Sequence, residues 1–330
     1  MQEITRDALL ERAKKLLADG TVTRVLGWKK GEFDYDITPG LFRGAEELDS
    51  DFVWNGLCGA NLSKYLVKET GKEDGKVLAF LKPCDTYSFN QLLTEHRFDR
   101  EKVYVIGVPC DGMIDVNTLK AHAENIVRVT VDGEKADVET LYDGVKTFER
   151  SELLPDRCVR CKSKKHVAYD ELLGEDGEVA DSSRFDEVAE IEKMTPDERF
   201  AFWQGELSRC IRCNACRNVC PACTCEKCVF DNPASGVENK AASNSFEDSM
   251  FHIIRAFHVA GRCTDCGECS RVCPEHIPLH LLNRKFIKDI DSFYGDYQAG
   301  AEVGSRAPVV NYTTDDIEPS EAVKRGEHDA

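Results

Sequence analysis

No apolar run in this 330-residue chain approaches the ~18 residues that a membrane-crossing helix needs. The longest strings, such as Val103 to Val108, are strand-sized. The amino terminus, MQEITRDALLERAKK, lacks the apolar centre of a signal peptide and reads instead as an amphipathic helix with charges throughout. Positive charge is also short: 43 Lys and Arg face 60 Asp and Glu, a formal charge of −17. Such a surface repels phosphate backbones and anionic lipid, which argues against nucleic-acid partners and against membrane association. There is no GxGxxG turn and no P-loop, so a nicotinamide or nucleotide site has no readable motif. These absences lead to the expectation of a cytoplasmic protein without membrane insertion.

What the chain has is cysteine, 16 residues of it. A reducing cytoplasm keeps thiols unpaired, so a disulfide framework is not expected. Metal ligation is the large remaining use for so many thiols. The composition, 42% apolar and 31% charged, is that of a globular chain, and the length allows two domains.

Residues 1–150 read as an α/β domain with a parallel sheet and βαβ crossovers. The periodicity predicts helices at 6–18, 60–69, 87–95 and 116–123, and strands at 22–28, 77–81 and 103–108. A closing strand pair, 126–131 and 138–142, is expected to turn at Asp132-Gly133. A weak repeat offset by 26 residues relates VLAFLKPCDTYSFNQLL to VYVIGVPCDGMIDVNTL, with Asp85 and Asp111 each placed to cap a following helix. Residues 151–195 read as a charged connector with one CxxC pair, its stretch from Glu171 to Glu192 an exposed loop. Thr195-Pro196-Asp197-Glu198 is a capping box that starts a helix with Phe200, Trp203 and Leu207 on its apolar face. Further amphipathic helices are expected at about 246–260 and after Pro278, and residues 301–330 as an acidic, flexible tail.

Cys210-x2-Cys213-x2-Cys216-x3-Cys220-Pro and Cys263-x2-Cys266-x2-Cys269-x3-Cys273-Pro share the spacing of the bacterial ferredoxin iron–sulfur run. In that pattern three thiolates on a tight loop grip one cubane and the fourth reaches the other cluster. Cys210, Cys213, Cys216 and Cys273 are thus expected to hold one [4Fe–4S] centre, and Cys263, Cys266, Cys269 and Cys220 a second. The pairs Cys158/Cys161 and Cys225/Cys228 would make a third four-thiolate site, for [4Fe–4S] or for zinc. Cys58, Cys84 and Cys110 fall in turns before helices, at the carboxyl edge where open α/β sheets bind ligands. With Cys223 they would complete a fourth [4Fe–4S] site; structural or flavin-adjacent thiols are the alternative. His252, His258, His276 and His280 read as surface or packing residues.

The segment SRCIRCNACRNVCPACTCEKC, followed by HIIRAFHVAGRCTDCGECSRVCPEHIPLHLLNRK, resembles the iron–sulfur subunits of sulfhydrogenases (β subunit) and of anaerobic sulfite reductase (A subunit). It is also similar to iron–sulfur partners of flavin oxidoreductases and of heterodisulfide-reductase-type complexes. The LKPCD and GVPCD turns resemble the same group and, more loosely, coenzyme F420 hydrogenase/dehydrogenase β subunits. Helix placement around the two runs resembles the all-helical dicluster ferredoxin module, here over 196–300. The resemblance implies an electron-transfer subunit of an anaerobic oxidoreductase complex rather than a stand-alone catalyst. It would relay single electrons between a flavoprotein, hydrogenase, formate dehydrogenase or heterodisulfide-reductase-type partner and an acceptor subunit. The alternative is an F420- or NAD(P)H-linked β subunit whose N-terminal domain binds FAD or FMN and performs the hydride chemistry itself.

Overall fold

A computed structural model describes residues 4–178, 183–232, 234 and 245–310. Its first part is organised by a five-stranded sheet of order β2-β1-β3-β4-β8. β1 (Arg24–Lys30), β3 (Val77–Leu81), β4 (Val103–Gly107) and β8 (Glu171–Leu172) run parallel, while β2 (Ile37–Phe42) is antiparallel to β1. The sheet is therefore mixed, not purely parallel. β3, with the sequence VLAFL, is buried along its whole length, as a central parallel strand covered on both faces must be. Covering helices are α1 (Arg6–Ala18), α2 (Ala45–Asp51), α3 (Ser63–Lys72) and α4 (Pro83–Thr94).

β2 was not expected because Pro39 and Gly40 break its pattern. Both are tolerated at a sheet edge, where no further strand needs the Pro nitrogen. A Cβ on Gly40 would come within 2.6 Å of the Lys29 Cβ on the neighbouring strand. β8 comes from the region expected to be an exposed loop, which also forms α7 (Asp186–Lys193).

α4 begins four residues earlier than its periodicity suggests, because Pro83 opens it and the Asp85 carboxylate accepts the Lys82 backbone N–H at 3.2 Å. Asp111 caps no helix. Its carboxylate pairs with Arg150, and Asp115 instead caps α5 (Val116–His122), accepting from Asn117 and Thr118 N–H at 3.1 Å each. β5 (Ile126–Asp132), β6 (Lys135–Thr140) and β7 (Gly144–Glu149) form a separate antiparallel sheet. Asp132 pairs with Lys135, so the tight turn is Gly133-Glu134, one residue later than expected, with Gly133 at φ +54°.

After α6 (Asp156–Val159) and α7 come α8 (Pro196–Leu207), α9 (Ala215–Val219), α10 (Ser245–Val259), α11 (Glu268–Arg271) and α12 (Leu279–Tyr294). No strand occurs among the described residues of 196–310. The Thr195/Glu198 capping box is formed, with Thr195 N–H donating to Glu198 Oε2 at 2.8 Å. Leu207 is buried on α8 and Trp203 packs partly, while Phe200 is exposed. Residues 301–310 lie against the rest of the chain, where Gly304 N–H donates to Thr94 Oγ1 at 2.9 Å; the remainder of the expected tail lies outside the described residues. Among the described residues no helix is long and apolar enough to cross a membrane.

Candidate iron–sulfur centres

The two ferredoxin-type runs fold alike. Residues on either side of Cys213 (Arg212, φ +55°; Asn214, φ +62°) and of Cys266 (Asp265, φ +60°; Gly267, φ +66°) take left-handed backbone conformations. These reversals curl each loop so that its cysteines gather on one side of it. A short helix follows each, α9 or α11, and carries Cys216 or Cys269 as its second residue.

The structure brings Cys210, Cys213 and Cys216 to one pocket together with Cys273 from the other run, floored by Phe251, Ile277 and Leu279. Cys220 reaches the opposite way and packs with Val259 against Cys263. The Cys220 thiol is also an electrostatic neighbour of Cys263, Cys266 and Cys269. Burial pushes the Cys216 thiol up to about 11 and Cys269 to about 12, and raises Cys263 and Cys266. Cys220 is the exception: a hydrogen bond from the Cys223 thiol lowers it. Buried thiols of this kind ionise when a metal supplies the opposing charge, and metal binding then releases their protons. Sulfur hydrogen bonds are already in place. Arg212 N–H donates to Cys210 Sγ at 3.4 Å, and the Asn283 amide to Cys269 Sγ at 3.7 Å.

A third convergence lies at the carboxyl edge of the main sheet. β3 and β4 pair Val77 with Val103 through Leu81 with Gly107, a register of 26 residues that equals the offset of the internal repeat. Cys84 and Cys110 consequently emerge level with each other, three residues past paired strand ends. α6 and the turn after it deliver Cys158 and Cys161 to the same pocket, which Lys82 and Arg157 also line.

This grouping differs from the expected third and fourth sets. Cys225 is exposed and Cys228 packs on the Leu207–Phe251 apolar cluster, so the structure does not bring them to Cys158 and Cys161. Neither Cys58 nor Cys223 lines the pocket of Cys84 and Cys110, although Cys58 packs behind it as an electrostatic neighbour of Cys110. Cys58 is fully buried in the sheet's core, with Sγ 3.6 Å from the Val53 carbonyl, and burial pushes its thiol to about 12. Cys223 stays beside Cys220, its carbonyl accepting from the Lys64 ammonium. A CxxC spacing fixes only two ligands; which pairs meet depends on chain paths between them.

The third pocket adjoins the second cysteine set, since Cys266 and Asp265 also line it. Arg157 spans the junction, donating through Nη1 to the Cys266 carbonyl at 2.7 Å and through Nη2 to the Gly59 carbonyl at 3.2 Å. Lys82 is buried at the sheet edge, 3.0 Å from Asp85 and over the Trp28 ring. Burial opposes its charge, but Asp85, Cys84 and Cys110 outweigh that and hold it protonated.

Two polar residues were not read as functional from the sequence. His252 Nε2 lies 3.2 Å from Cys210 Sγ, and Arg255 Nη2 donates to the Cys216 carbonyl at 3.1 Å. Their signal is a stripe at helical spacing, Asp248, His252 and Arg255, at most 3% exposed and set on the helix between the two cysteine runs. His280, by contrast, joins Asp156 and Glu187 in a group whose ligand atoms lie within 4.8 Å of one another. Arg160 and Arg284 already occupy that Asp156 carboxylate.

A four-thiol pocket drawn from both copies of a duplicated cysteine run defines an iron–sulfur protein, and residues 206–277 match the family described as 4Fe-4S dicluster domain. Among characterised proteins, the chain is similar to the F420-dependent formate dehydrogenase subunit beta of Methanocaldococcus jannaschii. The two are 24% identical over 339 residues, covering 84% of this chain and 88% of the relative. It is likewise similar to the F420-dependent formate dehydrogenase 1 subunit beta of Methanococcus maripaludis, at 25% identity over 363 residues, covering 89% and 92%. A chain of the F420-reducing [NiFe] hydrogenase complex from Methanosarcina barkeri superposes with a TM-score of 0.37 at 13% identity, covering 62% of this chain and 86% of that one.

Proposed function

We propose that the chain is a multi-cluster iron–sulfur electron-transfer subunit of a cytoplasmic oxidoreductase complex in anaerobic metabolism. Cys210, Cys213, Cys216 and Cys273 hold one [4Fe–4S] cluster, Cys220, Cys263, Cys266 and Cys269 a second, and Cys84, Cys110, Cys158 and Cys161 a third. The observation that carries this reading is the shared wall. Cys266 belongs to the second set and lines the pocket of the third, so the three sites form one continuous series from the helical part to the sheet edge. Each cluster, when bound, accepts and returns one electron at a time.

The protein's own part is to hold, shield and bias. Cys216, Cys220, Cys269 and Cys273 are buried, which keeps water from the inner ligands, while Cys213 is exposed and marks the face nearest a partner. Arg157, Arg255 and Lys82 place buried positive charge beside the three thiol sets, offsetting the negative charge of thiolate-bound clusters. Zinc fits less well. A Zn(Cys)4 tetrahedron with bonds of ~2.3 Å brings sulfurs to ~3.8 Å of each other. Among the described residues the Asp156/Glu187/His280 group is the one in which three ligand atoms come within 4.8 Å, and no thiol belongs to it.

The helices around the two runs support the all-helical dicluster reading, with a sheet-containing domain before it and a connector that carries the CxxC pair between them. The formate dehydrogenase β relatives support a formate-oxidising partner and an F420-linked acceptor within the complex. Iron and acid-labile sulfide on anaerobically purified protein test the proposal, with about 12 iron atoms per chain expected from three cubanes. Eight would remove the third site, and none would remove the whole reading.

A further inference from the structure

Most arginines packed around the cysteine sets hold carboxylates, and the buried Arg24, far from them in the sheet domain, is held by the backbone carbonyls of Glu69, Glu73 and Asp74. Arg157 and Arg271 share Glu268, Arg184 and Arg284 share Asp265, and Arg262 holds Glu95. Arg255, 3% exposed on α10, pairs with no acidic side chain among the described residues, and its Nε has no hydrogen-bond partner there. Its Nη2 donates to the Cys216 carbonyl at 3.1 Å, and the guanidinium also reaches the Cys223 thiol. The charges it faces are instead the thiols of Cys220, Cys269, Cys223 and Cys216. Cys216 belongs to the first four-thiol set, and Cys220 and Cys269 to the second. A guanidinium buried without an anion is strongly unfavourable. Anionic ligand sets on both sides supply the missing counter-charge.

We propose that Arg255 is the shared counter-charge of the dicluster, a single buried cation that raises the reduction potentials of both centres together. Adding an electron makes a centre more negative, so a fixed positive charge in a low-dielectric interior favours the reduced form on either side of it. His252 provides the contrast. It lies one turn earlier on α10, and its Nε2 reaches Cys210 Sγ at 3.2 Å, a sulfur of the first set alone. Hydrogen bonding to a ligand sulfur also raises potential, but only of the cluster that sulfur holds. α10 thus carries a common bias at Arg255 and a local one at His252.

The inference rests on the two-cubane reading, so iron and sulfide are counted on every sample before potentials are measured. EPR-monitored redox titration of the full anaerobic chain then gives both midpoints, with C213S identifying the signal of the first set. Arg255→Gln is expected to lower the equilibrium constant for reducing both centres about tenfold or more (~59 mV for one electron). Arg255→Lys keeps the charge and is expected to stay within about threefold of wild type at both. His252→Phe is expected to shift the first centre alone. Iron-loaded R255Q with unmoved potentials, or a shift confined to one centre, overturns the proposal. If R255Q does not retain iron, R255K decides: a tenfold fall despite the retained charge overturns it, and near-wild-type values uphold it. Wild-type protein without iron overturns the cluster reading itself, which is a different result.

Discussion

Arg157 donates to the backbone carbonyl of Cys266 at 2.7 Å, across 109 residues of chain. The same Nη1 lies 2.7 Å from Glu268 Oε1, a carboxylate with no exposed surface. One side chain from the connector thus closes the junction between the sheet-edge thiols and the dicluster.

Removing Arg157 leaves Glu268 buried with Arg271 as its remaining partner. Breaking one side of a buried ionic group typically costs about 3–5 kcal/mol. Arg157→Gln is expected to lower unfolding stability by roughly 3 kcal/mol, read from anaerobic urea titrations. A change under 1 kcal/mol would show that the bridge is not structural.

Cys84→Ser and Cys158→Ser should each reduce bound iron by about four atoms, the content of one cubane. Cys58→Ala, Cys225→Ser and Cys228→Ser should leave the count unchanged. Loss of iron in the latter three would restore the grouping that spacing alone suggested.

Glu95 is held by a two-point contact from Arg262, at 2.8 and 2.6 Å, immediately before Cys263. Burial opposes its ionisation, but the hydrogen bonds from Arg262 and Gln91 outweigh this and keep its carboxyl below the usual range. A depressed folded pKa contributes stability in full above the unfolded value and loses it as pH falls through the folded one. Glu95→Gln should therefore be less stable than wild type at neutral pH, by about 1–3 kcal/mol for charge-assisted bonds. The gap should close as pH drops below the ordinary carboxylate range. Urea unfolding at stepped pH checks this, and a pH-independent gap contradicts it.

Gly300 sits at φ +76°, where a Cβ would lie 1.9 Å from the Tyr87 carbonyl oxygen on α4. Gly300→Ala should destabilise by roughly 2 kcal/mol, through backbone strain and displacement of this segment from α4. Thermal unfolding of the loaded protein reads the effect; an unchanged midpoint would mean the segment is free of α4.

Local patterns carried far along this chain. β3 and β4 were legible because a buried parallel strand is a short apolar run, and α8 because Thr195, Pro196 and Glu198 are a start signal in themselves. β2 was hidden by Pro39 and Gly40, and β8 is only two residues long, paired to Ile106 and Gly107 by a contact no local pattern announces. His252 reads along the sequence as a surface or packing residue and Arg255 carries no reading there; their burial beside the cysteines is what marks them.

The sequence by itself determined the chemistry. Two cysteine runs of identical spacing, each ending in Cys-Pro, specify iron–sulfur chemistry at short range, because a few residues of loop hold three thiols near one point. It also placed Cys84 and Cys110 in equivalent positions through a repeat of 26 residues. Only the tertiary structure decided that these two face Cys158 and Cys161 rather than Cys58 and Cys223, and that Cys225 and Cys228 stand apart. Those choices depend on strand register, on the path of the connector across the sheet edge, and on ion pairs such as Arg157–Glu268 that fasten distant segments. Each is a contact between residues far apart in the chain, and spacing along a sequence carries no record of it.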